Sequence, residues 1–292
     1  MPPARACDAI CFDAGNTLVY LDHDQLSGVL AEYGVRIKPE KLARSELETR
    51  VEFDRADLVG STSDAERWHA YLESMLAKAG LRAGPAFGRL VEAVKEINRR
   101  RRLWSRVPPK VPRLLARLRA AGFRLAVVSN SDGRVRQFLE DADLARHFEV
   151  IVDSFEVGVE KPDPRIFDYA LKPLGVPPER AMHVGDYYHI DVVGAERAGI
   201  RGVLLDPLGL QRRRPCAVVR KLEEIERLVD IRPAKSQLPT PNSQRGSESG
   251  DGGDTTSKAD SKVNSNSKSN SKSNANSNGR ADSRAGRRGQ SG

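Results

Sequence analysis

The chain has 292 residues, with 48 Lys or Arg against 40 Asp or Glu for a formal charge of +8, and ten of those bases against five acids lie from Pro233 onward. The remainder is therefore only mildly basic and lacks the broad basic stripe of a specific nucleic-acid reader. No run of about eighteen apolar residues offers a membrane span, no early apolar stretch has signal-peptide length, and three cysteines leave one unpaired in any scheme, which predicts a soluble, reduced, cytoplasmic protein with no membrane partner.

In chain order, CDAICFD predicts a first strand ending at Asp13. From Asp24 to Arg102 the pattern turns helical nearly throughout, with helices predicted near DQLSGVLAEYG, PEKLARSELETRVEFDRADL, SDAERWHAYLESMLAKAG and PAFGRLVEAVKEINRRR, the third opening on a Ser63–Asp64 cap and closing at Gly80. Helix VPRLLARLRAAG then closes on Gly122, and strand-like FRLAVVSNS, EVIVDS, AMHVGD and RGVLLD alternate with helix-like DGRVRQFLEDADLARH, PRIFDYALKPLG and DVVGAERAG. That alternation predicts an α/β fold, a doubly wound parallel sheet carrying an inserted α-helical unit. Ligands of such sheets sit beyond the carboxyl ends of the strands, where these runs end in Asp, Ser or Gly.

The expected division is a core over 1–20 and 106–232, a helical insert over 21–105, and a disordered polar tail over 233–292. The tail, with segments such as SKVNSNSKSNSKSNANSNGR, has almost nothing apolar to offset the entropy of ordering. Its charge allows weak, salt-sensitive, nonspecific contact with polyanions. The basic runs Arg99–Arg102 and Arg212–Arg214 read as solvated helix ends and loops, and the pattern leaves monomer and dimer both open.

Asp13 sits at a strand's carboxyl end with small Ala14 and Gly15 beside it, where a carboxylate can attack phosphorus. Alone, an Asp there is equally a cap or turn residue. Four segments in order between Ala9 and Asp206, namely DAGNTL, VVSNSDG, EKPDPRIF and GDYYHID, resemble the four signature motifs of the haloacid dehalogenase (HAD) superfamily. The resemblance implies a Rossmann-like core with a helical cap between the first two motifs, and a hydrolase of small phosphorylated substrates using Mg²⁺. It assigns Asp13 as the nucleophile, Thr17 as the close of its loop, and Ser129 as the phosphoryl-binding hydroxyl with Asn130 beside it. Lys161 becomes the motif lysine. Asp186 and Asp191 become the acidic motif, with Asp13 and the Gly15 carbonyl completing the metal set.

The chemistry agrees, because one anion attacks another only if positive charge stands between them. Hard oxygen donors such as Asp13 and Asp186 suit Mg²⁺, and Lys161 supplies a compact cation. Asp191 is expected to orient a metal-bound water or Lys161.

One position departs from the family's phosphatases, whose first motif reads Asp-x-Asp. Its second aspartate serves as general acid, a role worth about 10²- to 10⁴-fold, and Gly15 stands there. The same departure marks the 2-haloacid dehalogenases, where Arg36, Arg44 or Arg50 would hold a carboxylate, although surface charge is the reading favoured for them. A phosphonate hydrolase would need Lys38 or Lys41 as a Schiff base. A third alternative is a weakly active binder of phosphorylated ligands. Asp22, His23, Asp24, Trp68, His69 and Tyr71 are the insert's candidate contacts. His23 is placed with the substrate as a replacement acid, while Trp68 and Tyr71 read as core.

Overall fold

The computed structural model describes residues 7–55, 64–82, 84–101, 103–211 and 213–229. The tail expected over 233–292, the capping Ser63, and the Arg102 and Arg212 ends of the two basic runs lie outside the described residues.

In chain order the elements are β1 (Ala9–Phe12), β2 (Tyr20–Leu21), α1 (His23–Glu32), α2 (Pro39–Phe53), α3 (Asp64–Lys78), α4 (Pro85–Arg101), β3 (Trp104–Arg106) and α5 (Lys110–Ala120). There follow β4 (Arg124–Ser129), α6 (Val135–Asp141), β5 (Val150–Asp153), α7 (Ser154–Val157), α8 (Arg165–Leu174), β6 (Ala181–Gly185), α9 (Val193–Arg197), β7 (Arg201–Leu205) and β8 (Ala217–Val219). Six strands form one parallel sheet in the order β5-β4-β1-β6-β7-β8. The short strands β2 and β3 pair antiparallel at the two ends of the helical insert.

Burial explains the central strand. All four residues of β1 are buried, as a parallel strand covered on both faces requires. Successive side chains point to opposite faces: Ile10 and Phe12 join Leu114, Leu118 and Leu139 of α5 and α6, while Ala9 and Cys11 join Ile166, Phe167, Ala170 and Leu171 of α8. Helix α8 stops where Gly175 takes a left-handed φ of 59°.

The insert has an apolar cluster of its own, drawn from Leu26, Val29 and Leu30 of α1, Leu72, Met75 and Leu76 of α3, and Leu90, Val91 and Val94 of α4. Asp22 caps α1 by accepting from the Gln25 backbone N–H at 2.9 Å. Helix α2 ends at Phe53, short of the expected Leu58, because Asp54 turns out of the helix toward the sheet.

Topology places the site. From β1 the chain winds outward through β4 to β5, then returns beside β1 as β6 and winds outward the other way. The reversal falls at β1 and β6, where an open α/β sheet forms its crevice. Phe12 lies level with Val127 and with Val184, so Asp13, Ser129 and Asp186 emerge together at one sheet edge.

Candidate active site

Asp13 follows β1 directly, anchored by its backbone N–H donating to Val184 O at 2.8 Å. The buried Lys161 ammonium, 1% exposed, donates to Asp13 Oδ1 at 2.8 Å, Asp191 Oδ1 at 2.7 Å and Val128 O at 2.7 Å. Three acceptors for three N–H bonds leave the cation one orientation. Its backbone is fixed too: Lys161 N–H donates to Asn130 Oδ1 at 2.8 Å, and Asn130 Nδ2 donates to Lys161 O at 3.0 Å.

The cluster is electrostatically tense. Burial pushes the Asp13 carboxyl up to about 6, against the pull of Lys161 and with a further push from Asp191. Burial opposes the charge on Lys161, yet Asp13 and Asp191 hold its pKa above the ordinary lysine value. Asp191 resists the effect of burial, because Lys161 and His183 keep it well below the usual carboxylate range. Its Oδ1 also lies 3.2 Å from His183 Nε2, and its Oδ2 accepts from the Tyr187 backbone at 2.9 Å. Gly185 makes room for this, since a Cβ there would stand 2.2 Å from Asp191 Cγ.

Asp186 lies on the other side of the crevice, 6% exposed. Burial raises its pKa well above the carboxylate norm, opposed by Arg50 and aided by Asp13 and Asp191. Arg50 Nη2 of α2 stands 2.9 Å from Asp186 Oδ2, but no N–H points along that line, and the oxygen accepts no hydrogen bond. The carboxylate thus already has one cation beside it, and its oxygens are of the hard kind that a divalent cation prefers. Among the described residues no three His, Cys, Asp or Glu side chains converge as metal ligands, so a cation here would rest on two carboxylates, carbonyl oxygen and water.

A cavity of about 810 Å³ opens above the cluster, between sheet edge and insert. Asp13, Gly15, Ser129, Asn130, Lys161, Asp186 and Asp191 line it from the core, and Phe53, Arg67, Trp68, Tyr71 and Asn98 from the insert. Polar contacts hold the two sides together. The Asp54 carboxylate accepts from the Tyr188 and His189 backbones at 2.9 Å each. Arg67 pairs with Glu160 at 3.2 Å, and Arg134 donates to the Asn98 and Arg99 carbonyls at 3.2 Å each.

Several expected residues are used otherwise. His23 does not reach the cavity: α1 turns its ring into the insert, where Nε2 meets Glu46 Oε2 at 2.6 Å. Thr17 is fully buried behind the loop with an unpartnered Oγ1. The Asn130 amide, expected on the substrate, is hydrogen-bonded to the Lys161 backbone, and Asp191, expected at the metal or on Lys161, accepts from Lys161 at Oδ1 and from the Tyr187 N–H at Oδ2. Trp68 and Tyr71 stack at 5.7 Å as packing predicts, yet they also line the cavity. Arg36 and Arg44 are exposed, but the surface reading fails for Arg50, which is 8% exposed.

The sequence offered Arg50 as a carboxylate holder but favoured surface charge for it, and it did not single out Asp54, Arg67, Trp104 or Arg134. Helix α2 held a usable signal: Ser45, Glu46, Thr49 and Arg50 repeat with helical spacing where apolar residues belong, and all four are buried.

The chain belongs to the haloacid dehalogenase-like hydrolases, whose family model matches residues 7–199. It is 36% identical over 167 residues to phosphoserine phosphatase of Thermus thermophilus, covering 52% of this chain and 67% of that protein. It is 38% identical over 100 residues to glyceraldehyde 3-phosphate phosphatase of Methanothermobacter thermautotrophicus, spanning 34% of this chain and 44% of that relative. The fold matches that of the HAD-hydrolase YfnB from Bacillus subtilis bound to magnesium, with TM-score 0.58, 20% identity, and coverage of 77% of this chain and 99% of that one. No described helix is long and apolar enough to cross a membrane.

Proposed function

We propose that this chain is a magnesium-assisted phosphatase of a small phosphorylated substrate, acting in the cytoplasm, where its three free thiols stay reduced. The observation that carries the reading is the Lys161 ammonium lodged between Asp13 and Asp191. A buried cation bonded to the would-be nucleophile lets an anionic carboxylate approach an anionic phosphate. The phosphatase relatives lend support.

Asp13 attacks phosphorus, the ester oxygen departs, and water attack on the aspartyl phosphate returns the carboxylate. Ser129 offers its hydroxyl to the phosphoryl oxygens, and Thr17 closes the nucleophile loop. Asp13, Asp186 and the Gly15 carbonyl form the oxygen set that would hold Mg²⁺, which supplies charge neutralisation at the phosphate when bound. The insert over 21–105 serves as a cap on the core of 1–20 and 106–232, keeping bulk water from the intermediate.

The test is Mg²⁺-dependent turnover of p-nitrophenyl phosphate. The reading expects a loss on the order of 10³-fold or more in Asp13→Asn, and undiminished activity in that variant would defeat it. A second reading, hydrolysis of a carbon–halogen bond, is favoured by Gly15, which leaves the position of the phosphatases' general acid without a side chain. Halide release from a 2-haloacid in the presence of EDTA would decide for it.

A further inference from the structure

The wall facing Asp13 is aromatic where a proton donor would be useful. Gly15 has no side chain, and a Cβ built there would stand 3.5 Å from Trp104 Cζ3 and 3.9 Å from two further indole atoms. A methyl group fits in ordinary contact, whereas a longer side chain aimed at the cavity would have to lie along the indole. Trp104 is held by two elements: β3 pairs with β2, and the indole packs against Trp68 with ring centroids 5.9 Å apart.

The other polar groups lining the cavity do not fill the gap. None of the described lining residues is His or Cys. Glu160 and Asp132 are ion-paired with Arg67 and Arg134. The Tyr71 hydroxyl donates to Glu46, and burial lifts both the Tyr71 and Tyr187 phenols well above their ordinary pKa. Asp13, Asp186, Asp191 and Lys161 are committed to nucleophile and charge balance. The Lys95 ammonium donates to Glu92 at 3.1 Å and meets His69 Nδ1 at 3.3 Å, so a leaving group that must be protonated as it departs finds no uncommitted acid among the described lining residues.

Resting on the phosphatase reading, we infer that the site takes aryl phosphate monoesters, with the phosphate at Asp13 and the aromatic ring against Trp104, and that the aryl oxide departs unprotonated. The bond from Asp13 Oδ to phosphorus forms as the phosphorus–aryl oxygen bond breaks, and the electron pair leaves on the aryl oxygen. Water then attacks phosphorus, the pair of the phosphorus–Asp13 bond returns to the carboxylate, and both water protons leave with the released dihydrogen phosphate. No proton donor enters either step. Aromatic faces on Trp68 and Trp104, both in the cavity lining, suit a flat leaving group.

The experiment compares kcat/KM on the full chain with Mg²⁺ for p-nitrophenyl phosphate, phenyl phosphate, acetyl phosphate and phosphoserine, in wild type and Trp104→Ala, with folding checked by circular dichroism. The expected result is a fall of on the order of 10²-fold or more from p-nitrophenyl phosphate to phosphoserine, the size of an absent general acid. Trp104→Ala should lower aryl turnover about tenfold relative to acetyl phosphate, the share of one aromatic contact. Phosphoserine turned over within tenfold of p-nitrophenyl phosphate, or an aryl-to-acetyl ratio unmoved in Trp104→Ala, overturns the inference and leaves the phosphatase reading standing. Absence of Asp13-dependent turnover of every ester overturns both.

Discussion

Replacing Lys161 by Met removes a fully buried ammonium and its three hydrogen bonds at 2.8, 2.7 and 2.7 Å while keeping much of the side-chain volume. Two buried carboxylates then face each other without a cation, and Val128 O loses the Lys161 donor. Breaking a buried ion pair by removing one member costs about 3–5 kcal/mol, and the orphaned carbonyl adds about 1–3 kcal/mol. Relaxation and water entry offset part of this, so urea unfolding at pH 7.5 should register a loss of about 3–5 kcal/mol. The loss should shrink at pH 5, because Asp13, whose pKa already stands at about 6 with the lysine present, takes up a proton and relieves the repulsion. A loss below about 1 kcal/mol at pH 7.5, typical of an exposed pair, would refute the claim that Lys161 is the buried counter-charge of the cluster.

Catalytic rate should show an acidic limb, since Asp13 must be ionised to attack: kcat/KM rises with pH with a midpoint at or below about 6, because bound Mg²⁺ favours the carboxylate further, and Lys161→Met moves the midpoint upward. The stability linkage of the two aspartates has opposite signs. Asp191, held low in the fold, contributes above about pH 4 and loses that contribution as pH falls, whereas Asp13 favours the fold when protonated and loses that as pH rises through about 6. Acid titration of unfolding in Asp191→Asn should therefore lose the low-pH slope. Gly185→Ala should cost at least about 3 kcal/mol and most activity, since its Cβ would overlap Asp191 at 2.2 Å; retention of wild-type unfolding would contradict that packing. Asp54→Ala orphans the Tyr188 and His189 N–H groups, at about 1–3 kcal/mol each, read by urea unfolding and by faster hydrogen exchange at those two amides.

The parallel sheet and the insert's helices were legible because β1, β4 and β6 are short apolar runs ending in Asp, Ser or Gly, and because the insert repeats apolar residues at helical spacing. Strand β8 was not, since Ala217–Val219 is too short to show a period. Asp13, Ser129, Lys161 and Asp186 were legible as residues following strands or preceding a helix. What their neighbours do was not. Nothing local says that the Asn130 amide turns to Lys161, or that α2 carries Arg50 across to Asp186, because those contacts join residues far apart in the chain. His23 misled for a related reason: it lies next to the loop in sequence, but the first turn of α1 rotates its ring toward Glu46. Trp104 carries no motif that would single it out, and the pairing of β3 with β2 is what lays its indole over Gly15.

In the proposed reaction Asp13 itself attacks phosphorus. Its most direct test is an acid-quenched single turnover of p-nitrophenyl phosphate with Mg²⁺, followed by mass spectrometry of the peptide carrying DAGNTL. The expected result is a transient phosphoryl group on Asp13 that forms with the release of p-nitrophenolate and decays as phosphate appears. A phosphoryl group on another residue, or unimpaired turnover by Asp13→Asn with none on the protein, would contradict it.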